Sequence, residues 1–394
     1  MSNAPWRDDP LGYMIGADAA KTFFDDTYEK KAVVIRHKGA DRFASLLSIA
    51  RIDELVSGND FPGESVDMAR SDPPVSRDQF IFPSGLADKG AISDLYRHGA
   101  TLILPQLHQF DATLKDFTRS VETVLSCHVQ TNIYLTPPNS QGFRTHYDDH
   151  DVFVLQIAGE KTWRLYDTPI DTPYRGEGFE AGVHEIGDPV EEFVLKAGEA
   201  AYVPRGLLHD ASTAGDTDSL HITVGLIVKT WADLILEAVS EVALREPGFR
   251  NSLPPGYARP DFDRTESAAQ FRKLIDAISR EADLDGAYDL FIDNYIRSRM
   301  PDTSGTITGR GIPDDKTAKF RLRRAIPWRF AGDEESAVVI TAGGELTFPV
   351  AAEPALNALL DGGTISRADL SSLSDEDALQ VIEKLFSYGV VEPC

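Results

Sequence analysis

The spacing of apolar residues changes along this 394-residue chain, and the changes mark its organisation. Up to about residue 125, helical and extended spacings are mixed. They predict helices over 18–29, 52–58 and 110–125 and short strands over 31–36 and 101–104. The stretch from Pro73-Pro74 to about residue 89 is typical of loop and edge strand.

Between residues 128 and 228 the spacing is that of β-strands, predicted over 128–135, 152–157, 161–166, 192–195, 199–203 and 220–228. A loop rich in Gly, Pro and acidic residues fills 167–189. The first strand has a polar face with Asn132 and Tyr134, and the last has one with His221, Thr223 and Gly225. Such faces are typical of a ligand pocket, although in an antiparallel sheet they can also meet solvent.

From residue 230 onwards helical spacing returns, over 230–245 and 264–299, with breaks at Pro254-Pro255-Gly256 and Asp285-Gly286. After a loop at 301–315, strands are predicted over 338–341, 345–349 and 390–391, and helices over 352–361 and from Ser374 to the residue before Gly389. The stretch 320–330 mixes arginine with aromatic residues. It could bind nucleic acid, but offsetting an acidic surface explains it better.

Composition narrows the class of protein. The formal net charge of −24 repels nucleic-acid phosphates and favours a basic protein or peptide partner, although it also serves solubility. The two cysteines, Cys127 and Cys394, form no disulfide framework or zinc cluster. The sequence lacks a signal-peptide pattern and an apolar run of ~18 residues. We therefore expect a cytoplasmic protein that binds neither nucleic acid nor membranes.

The main chemical signal is His146-Tyr147-Asp148, the only His-x-Asp in the chain. On a strand these two side chains would share one face, ~6.5 Å apart. They would supply two ligands of the 2-His-1-carboxylate triad that holds non-haem Fe(II). With nine histidines present, such a pair also arises by chance, so its surroundings decide.

Three histidines compete for the third ligand position. His209 is preferred, because it follows the strand 199–203 and a Pro/Gly turn that can fold it back onto the pair. His150 would lie ~13 Å from His146 on an extended chain, too far for one metal unless the strand bends sharply. His221 is the weaker candidate and is interpreted as a residue of the pocket wall.

The stretch 132–166 resembles the JmjC-domain ribosomal oxygenases, which are cupin-like Fe(II)- and 2-oxoglutarate-dependent protein hydroxylases. The resemblance runs through Asn132-Ile133-Tyr134-Leu135-Thr136-Pro137, Gly142-Phe143, His146-Tyr147-Asp148-Asp149 and Gly159-Glu160-Lys161-Thr162-Trp163-Arg164. It implies that Fe(II) is bound by His146, Asp148 and His209. It further implies that 2-oxoglutarate is bound by Lys161, with contacts from Tyr134, Asn132 and Thr223, and that O2 is the other substrate.

Two positions qualify this resemblance. Lysine beside a tryptophan is more often a surface residue than an anchor for a carboxylate, so the role of Lys161 rests on the family match. Some bacterial relatives that hydroxylate arginine carry Arg at this position, and relatives that hydroxylate histidine carry Lys, so Lys161 favours a histidyl target. Gly225 stands where we expect serine in relatives, and this departure leaves the details of cosubstrate or substrate contact open.

The resemblance also implies an architecture, mainly β with α. A double-stranded β-helix (JmjC/cupin) catalytic domain with an α/β lead-in is expected over 1–228. A helical dimerisation domain is expected over 229–305 and a C-terminal winged helix over 306–394. The implied activity is hydroxylation of a histidyl or arginyl residue of a ribosomal protein by a homodimer. The alternatives are the same chemistry on a precursor peptide or other biosynthetic substrate, and a non-catalytic JmjC-type binding module.

Overall fold

In a computed structural model, which describes residues 4–308 and 312–394, the chain divides into two compact units, and the boundary in the sequence falls between Val228 and Lys229. The first unit is a β structure with a helical lead-in. Its helices are α1 (Pro10–Ile15), α2 (Ala17–Asp26), α3 (Ile49–Gly58), α4 (Lys89–Arg97) and α5 (Ala112–Leu125). Its strands are β1 (Val33–Ile35), β2 (Asp67–Ala69), β3 (Thr101–Leu104), β4 (His128–Thr136), β5 (Asp151–Ala158), β6 (Glu160–Leu165), β7 (Glu191–Lys196), β8 (Ala200–Val203), β9 (His209–Ser212) and β10 (Ser219–Ile227).

Two antiparallel sheets make up the first unit. The larger has seven strands in the order β1-β8-β5-β10-β4-β3-β2, and the smaller has three in the order β7-β6-β9. Side chains of β4, β5 and β10 line one side of a cavity, and side chains of β6 and β9 line the other. This is the arrangement of a double-stranded β-helix, as the resemblance implied.

The sequence of strand β5, in the larger sheet, is a nearly continuous run of apolar residues. Alternate side chains of a strand point to opposite faces. Phe153 and Leu155 belong to the core that the lead-in helices cover, whereas Val152 and Val154 pack with Trp163 between the sheets. Both faces of β5 are therefore buried, and burying each large aliphatic or aromatic side chain contributes about 1.5–3 kcal/mol.

Most predicted elements of this unit are present with small differences in their ends. The strand over 101–104 is confirmed as β3, and the helix over 110–125 as α5, which begins two residues later because Asp111 caps it. Helices α1 and α4 were not predicted. Each is short, and each depends on an aspartate cap, Asp9 and Asp88, rather than on a long apolar stripe.

The second unit combines helices α6 (Trp231–Arg245), α7 (Thr265–Glu281), α8 (Leu284–Ser298), α9 (Glu353–Leu360) and α10 (Asp375–Ser387) with two small sheets. Their strands are β11 (Phe320–Leu322), β12 (Trp328–Gly332), β13 (Ser336–Thr341), β14 (Gly344–Pro349), β15 (Thr364–Ile365) and β16 (Val391–Pro393). The predicted break in the helical stretch 264–299 is confirmed between α7 and α8, but it lies at residues 282–283, just before Asp285-Gly286. The side chain of Asp283 accepts from both of their amides, so they form the first turn of α8.

Two of the four arginines of the stretch 320–330 have acidic neighbours within the second unit. Arg329 lies 2.6 Å from Asp289 and 3.2 Å from Asp293, and Arg321 lies 2.9 Å from Glu392. These contacts agree with the interpretation that the stretch offsets acidic charge. Among the described residues, no helix is long and apolar enough to cross a membrane.

Candidate active site

The structure brings His146, Asp148 and His209 together in the cavity between the two sheets. Each offers one ligand atom, and these atoms all lie within 4.8 Å of one another. Nε2 of His146 is 4.0 Å from Oδ1 of Asp148, and Nε2 of His209 is 3.8 Å from Oδ2. Two imidazoles and a carboxylate converging on one point form a donor set that suits Fe(II) with positions left open.

The expectation that His146 and Asp148 lie side by side on a strand is wrong. His146 makes an isolated bridge to His209, and the residues that follow it are irregular until β5 begins. The two histidines exchange backbone hydrogen bonds of 3.0 and 2.7 Å. The carbonyl of Asp148 accepts from the amide of Gly206 at 3.0 Å, which bends the chain back towards His209.

Both histidines of the triad are oriented in the same way. Nδ1 of His146 lies 2.9 Å from the carbonyl of Arg144, and Nδ1 of His209 lies 2.9 Å from the carbonyl of Leu207. Because a carbonyl only accepts, Nδ1 carries the proton in each ring and Nε2 keeps its lone pair for a metal. Burial, followed by the charge of His146, lowers the pKa of His209, which favours the neutral ring that ligation requires.

His150 lies outside this cluster. Its Nε2 is 3.1 Å from the side-chain nitrogen of Gln130, on β4. It does not belong to the group of metal-ligand atoms that His146, Asp148 and His209 form. The segment between residues 146 and 150 is irregular and not extended as expected. An extended chain is therefore not the reason that His150 lies apart from the metal ligands. The contact with Gln130 is what holds its ring.

Lys161 is a buried cation at the cavity. Its side chain is 4% exposed, and among the described residues Nζ has one hydrogen-bond acceptor, Oγ1 of Thr136 at 2.9 Å. Burial lowers its pKa to about 7. An ammonium group has three donors and needs a counter-charge when it leaves water, so this position suits the carboxylate of a bound molecule.

Aromatic rings form the wall beside Lys161. Tyr134 and His221 stack with centroids 4.8 Å apart at 9°, and Trp163 meets His221 edge-on at 5.8 Å. Burial, with a smaller effect of Lys161, lowers the pKa of His221 well below its usual value, so the ring is neutral. Nδ1 of His221 and Nε1 of Trp163 have no hydrogen-bond partner among the residues that the structure describes. His221 is thus a residue of the cavity wall, and its Nδ1 can still make a hydrogen bond to a ligand.

Of the three other residues expected to contact 2-oxoglutarate, two lie at the cavity and one does not. Thr223 and Tyr134 line the cavity. Asn132 does not; its side-chain oxygen accepts from the amide of Gln106 at 3.0 Å. Sequence reasoning missed Thr136, which holds Lys161. The alternation of β4 placed Thr136 beside Tyr134 on the polar face, and this signal could have identified it.

Comparisons with known proteins agree with this geometry. A JmjC domain profile matches residues 104–234. Ribosomal oxygenase 1 of Danio rerio is 30% identical over 71% of this chain and 54% of its own length. The NO66 protein of Dictyostelium discoideum, named a bifunctional lysine-specific demethylase and histidyl-hydroxylase, is 27% identical over 98% of this chain and 82% of its own length. The Escherichia coli ribosomal oxygenase YcfD, solved with cobalt and 2-oxoglutarate, superposes with a TM-score of 0.53 at 14% identity, over 95% of this chain and 97% of that one.

The two facing sheets and the His-Asp-His cluster define a JmjC-domain protein. Within that class, the chain is similar to the JmjC-domain ribosomal oxygenases. It spans about half the length of several of the curated relatives that it matches, 54% of the Danio rerio protein and 56% of the Aedes aegypti protein.

The buried lysine predicts a particular dependence of stability on pH. The pKa of Lys161 is about 7 in the folded protein and ~10.4 in an unfolded chain. Between these values the unfolded chain binds more protons, so the contribution of Lys161 to the free energy of unfolding rises with pH, by up to ~1.4 kcal/mol per pH unit. Lys161→Met removes this contribution. The variant should therefore be more stable than the wild type at pH 7, with an advantage that shrinks towards pH 9.

Urea unfolding of the metal-free protein at several pH values measures this difference. Lys196→Met is the matched control, because the side chain of Lys196, also on a strand, is 66% exposed. Its difference from the wild type should not change with pH. Parallel curves for the wild type and Lys161→Met would show that Lys161 titrates normally in the folded protein.

Proposed function

We propose that this protein is an Fe(II)- and 2-oxoglutarate-dependent oxygenase that hydroxylates a residue of another protein. The observation that carries the proposal is one cavity with two complementary parts. It holds three converging metal-ligand atoms, and it also holds a buried lysine that has no counter-charge within residues 4–308 and 312–394. The Escherichia coli YcfD protein, solved in complex with cobalt and 2-oxoglutarate, supports the same pairing of metal and keto acid.

Each part has a defined task in this proposal. Bound Fe(II) would supply O2 activation coupled to decarboxylation of 2-oxoglutarate to succinate, with hydroxylation of a substrate C–H bond. His146, Asp148 and His209 hold the metal and leave positions for the cosubstrate and O2. Lys161 binds the distal carboxylate, and the apolar walls formed by Val152, Val154 and Trp163 exclude water.

We further propose that the substrate is a histidyl or arginyl residue of a ribosomal protein. The names of two relatives, ribosomal oxygenase 1 and a histidyl-hydroxylase, support this class. Lys161 instead of Arg favours the histidyl target. Mass spectrometry of ribosomal proteins from cells with and without the gene tests it. A mass difference of one oxygen on one peptide is the expected result, and unchanged ribosomal proteins would favour the precursor-peptide alternative.

The loop 167–189 supports a basic substrate. It carries six acidic residues and one arginine. It is attached directly beside the metal ligands, since Tyr147 packs on Phe179 at 5.5 Å and Asp149 accepts from the amide of Gly176 at 2.6 Å. An acidic segment at this place favours approach by a positively charged chain.

The non-catalytic alternative makes a different prediction about turnover. With Fe(II), O2 and 2-oxoglutarate, the purified wild-type protein should produce succinate, because uncoupled decarboxylation needs only the triad and the cosubstrate site. His146→Ala or Asp148→Ala should abolish it, since two remaining ligands do not fix the metal. His150→Ala is the matched control and should retain turnover. Full succinate production by either triad variant would contradict the assignment, and none by the wild type would favour a binding module.

Lys161 provides a sharper test of the cosubstrate site. Removing one partner of a buried charge pair costs ~3–5 kcal/mol, so Lys161→Ala should raise the KM for 2-oxoglutarate by about 100-fold or more. Metal binding by His146, Asp148 and His209 should survive. Lys161→Arg should be tolerated better, although its longer planar group needs room beside Trp163. Titration of 2-oxoglutarate into the iron-loaded variants measures the KM, and an unchanged value in Lys161→Ala would assign the carboxylate to another residue.

We propose that residues 229–305 form a helical dimerisation domain and residues 306–394 a winged helix. Helices α6, α7 and α8 expose large apolar side chains, among them Trp231, Leu236, Leu244, Phe271 and Ile275. Exposed apolar surface on this scale is typical of protein interfaces. The cytoplasm is the proposed location, because a chain with two cysteines has no disulfide framework and suits a reducing compartment.

Light scattering at micromolar concentration tests the dimer. The wild type should have twice the chain mass of 43.3 kDa. Leu236→Glu combined with Phe271→Glu should shift it to the monomer, because charges then replace apolar contact. Val183→Glu is the control, as it changes an equally exposed apolar residue in the loop 167–189. A monomeric wild type would refute the homodimer.

A further inference from the structure

A buried ionic network lies near the metal ligands but outside the cavity. Asp151 is 0% exposed and Arg205 is 7% exposed. Nη1 of Arg205 donates to Oδ2 of Asp151 and to Oε1 of Glu29, both at 2.6 Å, and the hydroxyl of Tyr202 donates to Oδ1 of Asp151 at 2.5 Å. The amide of Glu29 donates to the same hydroxyl at 2.9 Å, which closes a ring of hydrogen bonds.

The network begins where the backbone pairing of two strands ends. The ladder between β5 and β8 has Val152 opposite Val203 as its last pair. The next residue on β8 is Pro204, which has no N–H to donate, so the ladder cannot continue. Just beyond this point, the side chains of Asp151 and Arg205 connect the two segments of the chain.

Both segments lead from the ion pair of Asp151 and Arg205 directly to metal ligands. Asp151 follows Asp148 by three residues, and Arg205 precedes His209 by four. One backbone hydrogen bond, from Gly206 to the carbonyl of Asp148, crosses the gap between them. The irregular segment that carries Asp148 has no strand geometry of its own to set its position.

We propose that the ion pair of Asp151 and Arg205, braced by Tyr202 and Glu29, is a positioning device that fixes Asp148 relative to His209. The inference deepens the proposed function and rests on it, because it gives these residues a task at the metal site. They are not catalytic residues, since none of the four lines the cavity. Asp151 shares the outer face of β5 with Phe153, which packs against the lead-in helices.

A purely structural role must be distinguished from positioning, because an ion pair with one partner removed destabilises any fold. Two readouts separate them: the thermal unfolding temperature of the metal-free protein, and the affinity and visible absorption of Co(II) bound in the presence of 2-oxoglutarate. The absorption of Co(II) depends on the geometry of its ligands and not on the stability of the fold.

Asp151→Asn keeps the shape of the side chain and removes its charge. We expect it to weaken Co(II) binding ~10–100-fold at a temperature where the variant is fully folded, and to change the Co(II) spectrum. If Asp151→Asn does not fold, the double variant Asp151→Asn with Arg205→Gln removes both charges and is measured in its place. Arg205→Lys retains the charge without the planar fork and should weaken binding less than Arg205→Gln.

The control is Asp116→Asn, which breaks a 2.9 Å ion pair between α5 and Arg7, in the turn before α1. It should leave Co(II) affinity and spectrum as in the wild type. Variants of Asp151 or Arg205 that unfold at a lower temperature yet bind Co(II) with wild-type affinity and spectrum would overturn the positioning role alone. A wild type whose Co(II) binding is unaffected by His146→Ala would overturn the metal site and this inference together.

Discussion

The two backbone hydrogen bonds that His146 and His209 exchange are the constraint on which the candidate site depends. They fix two of three metal ligands across a gap that no regular strand fills. The ladder between β6 and β9 couples these ligands to the lysine. Strand β6 pairs with β9 so that Leu165 lies opposite His209, and Lys161 lies four residues earlier on the same face as Leu165. The ladder therefore sets a separation of ~13 Å between the metal-ligand position and the start of the lysine side chain.

The cavity is not arranged for stability. In the described part of the chain, a lysine with one acceptor, a histidine with an unsatisfied Nδ1 and a tryptophan with an unsatisfied Nε1 are buried together. Each unsatisfied polar group costs about 1–3 kcal/mol. The aromatic contacts of Tyr134 and His221 and the apolar packing of β5 offset this. These unsatisfied groups lie where a ligand would bind, whereas Asp151 is paired with Arg205 and Tyr202 outside the cavity. The residues that bind the ligand and the residues that support the site are therefore different.

The sequence identified the chemistry better than the local structure around it. The pairing of His146 with Asp148 and the choice of His209 followed from motif and turn signals, and Lys161 followed from the family resemblance. The strand assigned to His146 and Asp148 was wrong, because the geometry there comes from hydrogen bonds to residues about sixty positions away. The same limit applies to Arg205, whose partners Glu29 and Asp151 are distant in sequence. A charged residue opening the apolar strand β5 was the one local signal of that network.

The single hydrogen bond of Lys161 to Thr136 has a consequence for how the site exchanges protons with its surroundings. With a pKa of about 7, a substantial fraction of the ligand-free protein carries a neutral amine there at neutral pH. A carboxylate that docks beside this amine restores the charged form, since opposite charge at close range favours ionisation. Filling the cavity therefore draws a fraction of a proton from solvent, and mild acidification from above neutral pH strengthens the hold of Lys161 on a carboxylate.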